Sequence, residues 1–160
     1  MYMDEAAHKV IHPTAIFRNI HSIQQVRNTQ YQKGNRKMGK FVVKTTKSGF
    51  VFNLKAGNGE VIATSESYKS QDSCLNGVES VRKSCAGGVE DQTVEGFEKL
   101  THPKFEVYAD KAGEFRFRLK ARNGEVIAVS EGYKSKQSCM NGIESVKKNA
   151  HDAEVAIQED

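Results

Sequence analysis

Phe50-Val-Phe-Asn-Leu-Lys-Ala-Gly-Asn-Gly-Glu-Val-Ile-Ala-Thr-Ser-Glu66 returns later in the chain as Phe115-Arg-Phe-Arg-Leu-Lys-Ala-Arg-Asn-Gly-Glu-Val-Ile-Ala-Val-Ser-Glu131. Extended to residues 50–83 against 115–148, the match holds 24 identities in 34 positions, so the chain is a duplication of one small unit. Upstream, Phe41-Val42-Val43 corresponds to Phe105-Glu106-Val107 at an offset one residue shorter, which makes Glu114 an insertion in the second copy. A period this long in only two copies fits neither a solenoid nor an array.

The two periods inside each unit can be read directly. Phe41 and Val43 share one side of a first strand; Phe50, Phe52, Leu54 and Ala56 alternate along a second. Asn58-Gly59 and Asn123-Gly124 predict two-residue type I′ hairpins, whose central residues both take positive φ. In that register Ala56 faces Val61 and Leu54 faces Ala63 on a third strand, Val61–Ser65, repeated as Val126–Ser130. Ile62 and Ile127 then fall on the side away from the core, which requires that side to be partly covered. A helical period follows. Ser70 and Ser135 stand at N-cap positions. Cys74, Val78, Val81 and Cys85 form one apolar stripe, and Cys139, Ile143, Val146 and Ala150 its twin. Gly77 and Gly142 lie on those stripes and predict close approach to the sheet, while Gly87-Gly88 predicts the end of the first helix. Val89–Val94 and Ala153–Ile157 read as fourth strands.

Differences between the copies agree with this orientation. Val51/Arg116 and Asn53/Arg118 sit on the outward strand face, where polarity changes freely; Leu75/Met140 and Val78/Ile143 stay apolar. A single unit has a sheet edge to hide, and two side by side remove one edge each.

Phe115-Arg-Phe-Arg-Leu-Lys-Ala-Arg-Asn-Gly-Glu, Ser130-Glu-Gly-Tyr-Lys-Ser-Lys and Gly142-Ile-Glu-Ser-Val-Lys-Lys-Asn resemble the YegP-like family, an uncharacterised bacterial family with one or two copies per chain. The resemblance covers about residues 38–150, both copies. It implies a β-β-β-α-β unit, two of which share one sheet with C-terminal strands exchanged, so that this chain is a dimer fused into one polypeptide. The expected architecture is therefore α+β: one antiparallel sheet with both helices on one face. Repeat 1 is expected over 38–97 and repeat 2 over 98–160, as one joint domain. The family supplies no reaction, so no catalytic residue carries over.

The chain has 160 residues and a net charge of +4. Residues 1–37 hold six basic and two acidic residues; residues 38–160 hold eighteen of each. The excess charge belongs to the leader, and a neutral body argues against long-range steering toward a polyanion. The leader lacks the apolar h-region of a secretory signal. It reads as a poorly ordered extension or a short helix after Pro13-Thr14, with Ile16, Phe17, Ile20, Ile23 and Val26 on one side, and Met38 is a second candidate start. No apolar run is long enough for a membrane span. Three cysteines without a CxxC pair and without a signal predict free thiols in the cytoplasm.

Few residues carry chemistry. Cys74 and Cys139 occupy matching positions, either as reactive thiols or as small buried apolar groups; with no histidine in either repeat core to form a thiolate, apart from His151 beyond the second helix, packing is expected. Arg116, Arg118, Lys120 and Arg122 alternate along one strand and are the candidate binding residues, a basic ladder that the first copy lacks. Glu106 and Tyr108 on the neighbouring strand are placed to neutralise part of it. Tyr68-Lys69-Ser70 and Tyr133-Lys134-Ser135 precede the helices, where the serine caps and the tyrosine packs or meets a ligand. Glu79 and Glu144 have no second carboxylate at matched spacing, the five histidines are scattered, and Gly57-Asn58-Gly59 lacks the Lys-Ser/Thr of a phosphate loop. No cofactor and no metal are expected. The expected function is a small non-catalytic cytoplasmic binding or interaction protein, a monomer with internal pseudo-symmetry and a protein partner. The alternative is a nucleic acid or phosphate ligand held by the basic strand face of repeat 2.

Overall fold

A computed structural model describes residues 38–159. The helix expected in the leader lies outside the described residues. The elements run β1 (Lys40–Thr46), β2 (Gly49–Lys55), β3 (Val61–Thr64), α1 (Gln71–Ser84), β4 (Gly88–Asp91), β5 (Lys104–Ala109), β6 (Phe115–Lys120), β7 (Val126–Val129), α2 (Lys136–Ala150) and β8 (Glu154–Gln158).

All eight strands join one sheet in the order β4-β5-β6-β7-β3-β2-β1-β8. Exchanging the two halves maps this order onto itself read backwards, so a pseudo-twofold passes through the middle, where Thr64 pairs with Val129. Strand exchange is present. β4 leaves the first repeat to pair with β5 of the second, and β8 returns from the second to pair with β1. Both exchanged pairings are parallel, so the sheet is mixed: antiparallel through the six inner strands and parallel at each end.

The alternation expected from sequence places Phe41, Val43, Phe52, Leu54 and their counterparts Phe105, Val107, Phe117 and Leu119 in the core, none more than 1 % exposed. Burial of each such side chain stabilises the fold by roughly 1.5–3 kcal/mol. Both helices cover this face. Each begins at the expected cap, with Ser70 Oγ accepting from Ser73 N–H and Ser135 Oγ from Ser138 N–H, both at 3.1 Å. Their stripes are buried as read: Cys74, Val78 and Val81 on α1, Cys139, Ile143 and Val146 on α2.

The hairpin turns differ from the expectation. Gly59 N–H donates to Ala56 O and Ala56 N–H to Glu60 O, each at 2.9 Å, so Ala56 pairs with Glu60 around a three-residue loop. Gly59 alone has positive φ, +91°, and Gly124 repeats it at +86°. Asn58 keeps ordinary φ and uses its side chain, accepting from Glu60 N–H at 3.0 Å. The longer loop is absorbed by a bulge: Lys55 pairs with Val61 and Leu54 with Ala63, leaving Ile62 as the extra residue. A bulge re-aims its residues, and Ile62 and Ala63 are both buried in the core cluster, as are Ile127 and Ala128. That removes the need to cover the far face. The first helix also ends otherwise than expected: Gly87 takes no left-handed φ but lies so close to Pro103 that a Cβ would sit 2.5 Å from its carbonyl oxygen.

The halves keep one core but differ at the sheet ends. β8 is exposed along its length, with Val155 and Ile157 among its side chains. Near β4 the connection 92–103 folds back, and Leu100 N–H reaches Glu90 Oε2 at 2.7 Å.

Candidate functional site

β6 aligns Arg116, Arg118 and Lys120 on the face away from the helices, as two-residue periodicity requires, and its partner strand supplies acid. Arg118 Nε meets Glu106 Oε1 at 2.6 Å, with the guanidinium 4.6 Å from the centre of the Tyr108 ring; Lys120 Nζ lies 3.4 Å from the same carboxylate oxygen. Arg116 Nε meets Asp110 Oδ2 at 2.6 Å in the β5–β6 turn, and its hydrogen bond holds that carboxyl below its ordinary range. Three of the four candidate residues are thus paired with carboxylates. Arg122 stands apart. It is exposed at the β6–β7 turn and borders a surface hollow together with Lys83 and His102.

Beneath Arg118 lies a buried ionic cluster that the sequence reading did not find. Lys104 Nζ is 2.6 Å from Glu90 Oε2 and 3.1 Å from Glu106 Oε2, and all three side chains are under 10 % exposed. Gln92 Nε2 adds a hydrogen bond of 2.8 Å to Glu90 Oε1. Burial by itself would raise the Glu90 pKa. Donation from Lys104, Gln92 and the Leu100 amide overcomes that and holds the carboxyl at about 2. Burial likewise opposes the charge on Glu106, and Arg118 and Lys104 override it. The signal was present as two charged residues alternating with Phe105 and Val107 on an otherwise apolar strand. Its third member was invisible, because the parallel β4–β5 pairing brings Glu90 opposite Glu106.

The remaining candidates pack in the core or against it. Cys74, Cys85 and Cys139 are buried and free. Burial pushes all three thiols up, Cys139 to about 11. The backbone of Tyr68 pairs with Phe50 in both directions, at 2.7 and 2.8 Å, and its ring stacks on Phe52. Tyr133 repeats this with Phe115 and Phe117. The close approach expected at Gly77 and Gly142 is made by these tyrosines rather than by the sheet backbone. Among the described residues no group of His, Cys, Asp and Glu is arranged to hold a metal, and no helix is long and apolar enough to cross a membrane.

The fold and surface define a class: a tandem-repeat α+β protein in which two equivalent units exchange their last strands within one chain. The chain belongs to the YegP-like family. A family model described as a domain of unknown function, DUF1508, matches residues 46–90 and again 110–156. A UPF0339 protein of Pseudomonas aeruginosa is 42 % identical over 115 residues, 71 % of this chain and 92 % of that one. A UPF0339 protein of Methanosarcina acetivorans is 59 % identical over 56 residues, 35 % of this chain but 97 % of that one, so its length corresponds to a single repeat. The solution structure of yegP from E. coli, described as a protein of unknown function, is 35 % identical and superposes with a TM-score of 0.62, covering 76 % of this chain and 93 % of its own.

Proposed function

We propose that the chain works by binding rather than by turning over a substrate, and that what it binds is anionic. The observation that supports this is the division of its reactive groups. The three thiols and the tyrosines before the helices are spent on packing, whereas Lys83 and Arg122 stand on the surface with no carboxylate partner among the described residues. A buried thiol with a raised pKa is a poor nucleophile. Free cysteines fit a reducing cytoplasm, and the internal pseudo-twofold makes a monomer sufficient.

Two measurements test the reading. Iodoacetamide at neutral pH is expected to leave Cys74, Cys85 and Cys139 unlabelled until denaturant is added; rapid labelling of any of them in the native protein restores thiol chemistry. A thermal-shift screen of anionic, neutral and cationic metabolites at constant ionic strength is expected to raise Tm only with anions, since a ligand selective for the native state stabilises it by mass action. A flat screen defeats the anionic part.

Nucleic acid held by the strand face is the second reading, and the pairs made by Arg116, Arg118 and Lys120 weigh against it. Retardation of a single-stranded oligonucleotide at low salt is expected to be unchanged by Arg116→Gln with Arg118→Gln. If the ladder gripped phosphates, the double substitution would weaken binding and flatten its salt dependence.

A further inference from the structure

We propose that the hollow between α1, the His102–Pro103 bend and the β6–β7 turn binds a small phosphorylated ligand of nucleotide size, an inference that rests on the binding role proposed above. The hollow measures about 540 Å³ and is lined by Ser80, Lys83, Ser84, His102, Arg122 and Asn123 among others. It adjoins a second of about 410 Å³ that shares Lys83, His102 and Pro103 and continues past Leu100. Both volumes fall in the range of roughly 300–1,000 Å³ typical of small-ligand sites. No carboxylate lines either hollow. The side chains of Lys83, His102 and Arg122 make no ion pair or hydrogen bond among the described residues, so none of them is spent on a carboxylate as Lys104, Arg116, Arg118 and Lys120 are. The C-terminal end of α1 opposes an anion with roughly half an elementary charge. The full charges of Lys83 and Arg122 outweigh it. Serine hydroxyls and the Asn123 amide supply the neutral donors a phosphate also takes.

Comparison between the copies gives an independent argument. The positions equivalent to Arg122, His102 and Ser84 hold Gly57, Met38 and Asn149. Asn149 folds its amide onto Ser145, donating to the Ser145 carbonyl at 2.8 Å. It also packs so tightly on Gly39 that a Cβ there would lie 2.7 Å from its Oδ1. The pseudo-equivalent place, between α2, Met38–Gly39 and the β2–β3 turn, is therefore filled by the Asn149 side chain where Ser84 leaves this one open, and it lacks two of the three basic groups. Both halves build the hollow, since α1 comes from the first and the β6–β7 turn from the second. Phosphate is expected to sit between Lys83, His102 and Arg122, with the organic part in the adjoining hollow against Leu100 and Pro103.

Titration calorimetry of the full chain at low salt, with inorganic pyrophosphate and with ADP, tests this. Both are expected to saturate one site, ADP several-fold more tightly because it alone reaches the second hollow. Arg122→Gly, which installs the residue of the first copy, and Lys83→Met are each expected to weaken binding at least about tenfold, as loss of a charge-assisted hydrogen bond does. Ser84→Asn is expected to weaken it without changing charge. Absence of saturation at millimolar ligand, or affinity untouched by all three substitutions, overturns the proposal. So does oligonucleotide binding that pyrophosphate fails to displace, and equal affinity for the two ligands removes the second hollow from it. Orthophosphate is assayed in the same cell: its release would keep the site and overturn the non-catalytic reading, whereas a silent titration would leave that reading to the thiol and thermal-shift experiments.

Discussion

Lys104→Met is expected to cost about 3–5 kcal/mol of stability at neutral pH, the usual penalty for removing one partner of a buried ion pair and stranding the other. The stranded group is Glu90. Glu106 retains Arg118 and Lys120 after the substitution, but Glu90 is left with only the neutral donors Gln92 and the Leu100 amide. A methionine matches the lysine stem in bulk, so the loss reports charge rather than a cavity. Urea unfolding reads it, and a loss under about 1 kcal/mol, the size of an exposed pair, would show that the cluster is solvated.

The pH dependence separates this from a packing effect. In the native protein the Glu90 carboxyl is held at about 2, below its ordinary value of 4.5. A depressed pKa stabilises the fold above the unfolded value, and that contribution drains away as pH falls from about 4.5 toward 2. Without Lys104 the carboxyl loses its charged partner while burial still opposes its charge, so it titrates higher than in the native protein. The stability gap between native protein and variant is therefore expected to be widest at neutral pH and to close on acidification. Replacing the acid too, as Glu90→Gln with Lys104→Met, is expected to recover most of the loss at pH 7. A gap that stays constant with pH, or a double variant no better than the single, assigns the cost to packing.

The core was legible and the cluster was not, for one physical reason. Phe52, Leu54, Phe117 and Leu119 announce a strand face through a period of two, and Cys74, Val78 and Val81 a helix face through a period near four; such signals are local. Glu90 meets Glu106 and Lys104 only because β4 leaves its own repeat and pairs in parallel with β5. The exchange itself was implied by family resemblance and by nothing in the spacing of these residues. Asn58-Gly59 misled because an Asn-Gly pair suits both a two-residue turn with two positive φ values and a three-residue turn with one. The bulge at Ile62, not the dipeptide, shows which is used. Arg122 was grouped with a ladder by its parity, yet it lies beyond the last residue of β6, where strand alternation no longer governs direction. The hollow it borders is made by three segments distant in sequence, and no periodicity marks such a meeting.

Gly142→Ala tests the close approach expected at the helix glycines, which the structure assigns to a tyrosine ring. Glycine inside an exposed helix is normally worse than alanine by about 1 kcal/mol, so helix propensity alone predicts that the substitution stabilises α2. The opposite is expected here, a loss of about 3 kcal/mol, because the added methyl would stand 2.4 Å from the Tyr133 hydroxyl oxygen, 2.9 Å from its Cζ and 3.1 Å from Phe117 Cε2. The tyrosine is anchored on two sides: its ring is stacked on Phe117, and its backbone exchanges two hydrogen bonds with Phe115. Removing the hydroxyl relieves the nearest contact, so Tyr133→Phe is expected to recover a substantial part of the loss in the Gly142→Ala background while changing the native protein little. The pseudo-twofold supplies a replicate, since Gly77 meets Tyr68 at the same 2.4 Å, and Gly77→Ala with Tyr68→Phe is expected to follow the same pattern. Equilibrium unfolding of the four members of each cycle gives the coupling energy. A stabilised Gly142→Ala protein, or a cycle with no coupling, would mean that the helix glycine does not make room for the ring.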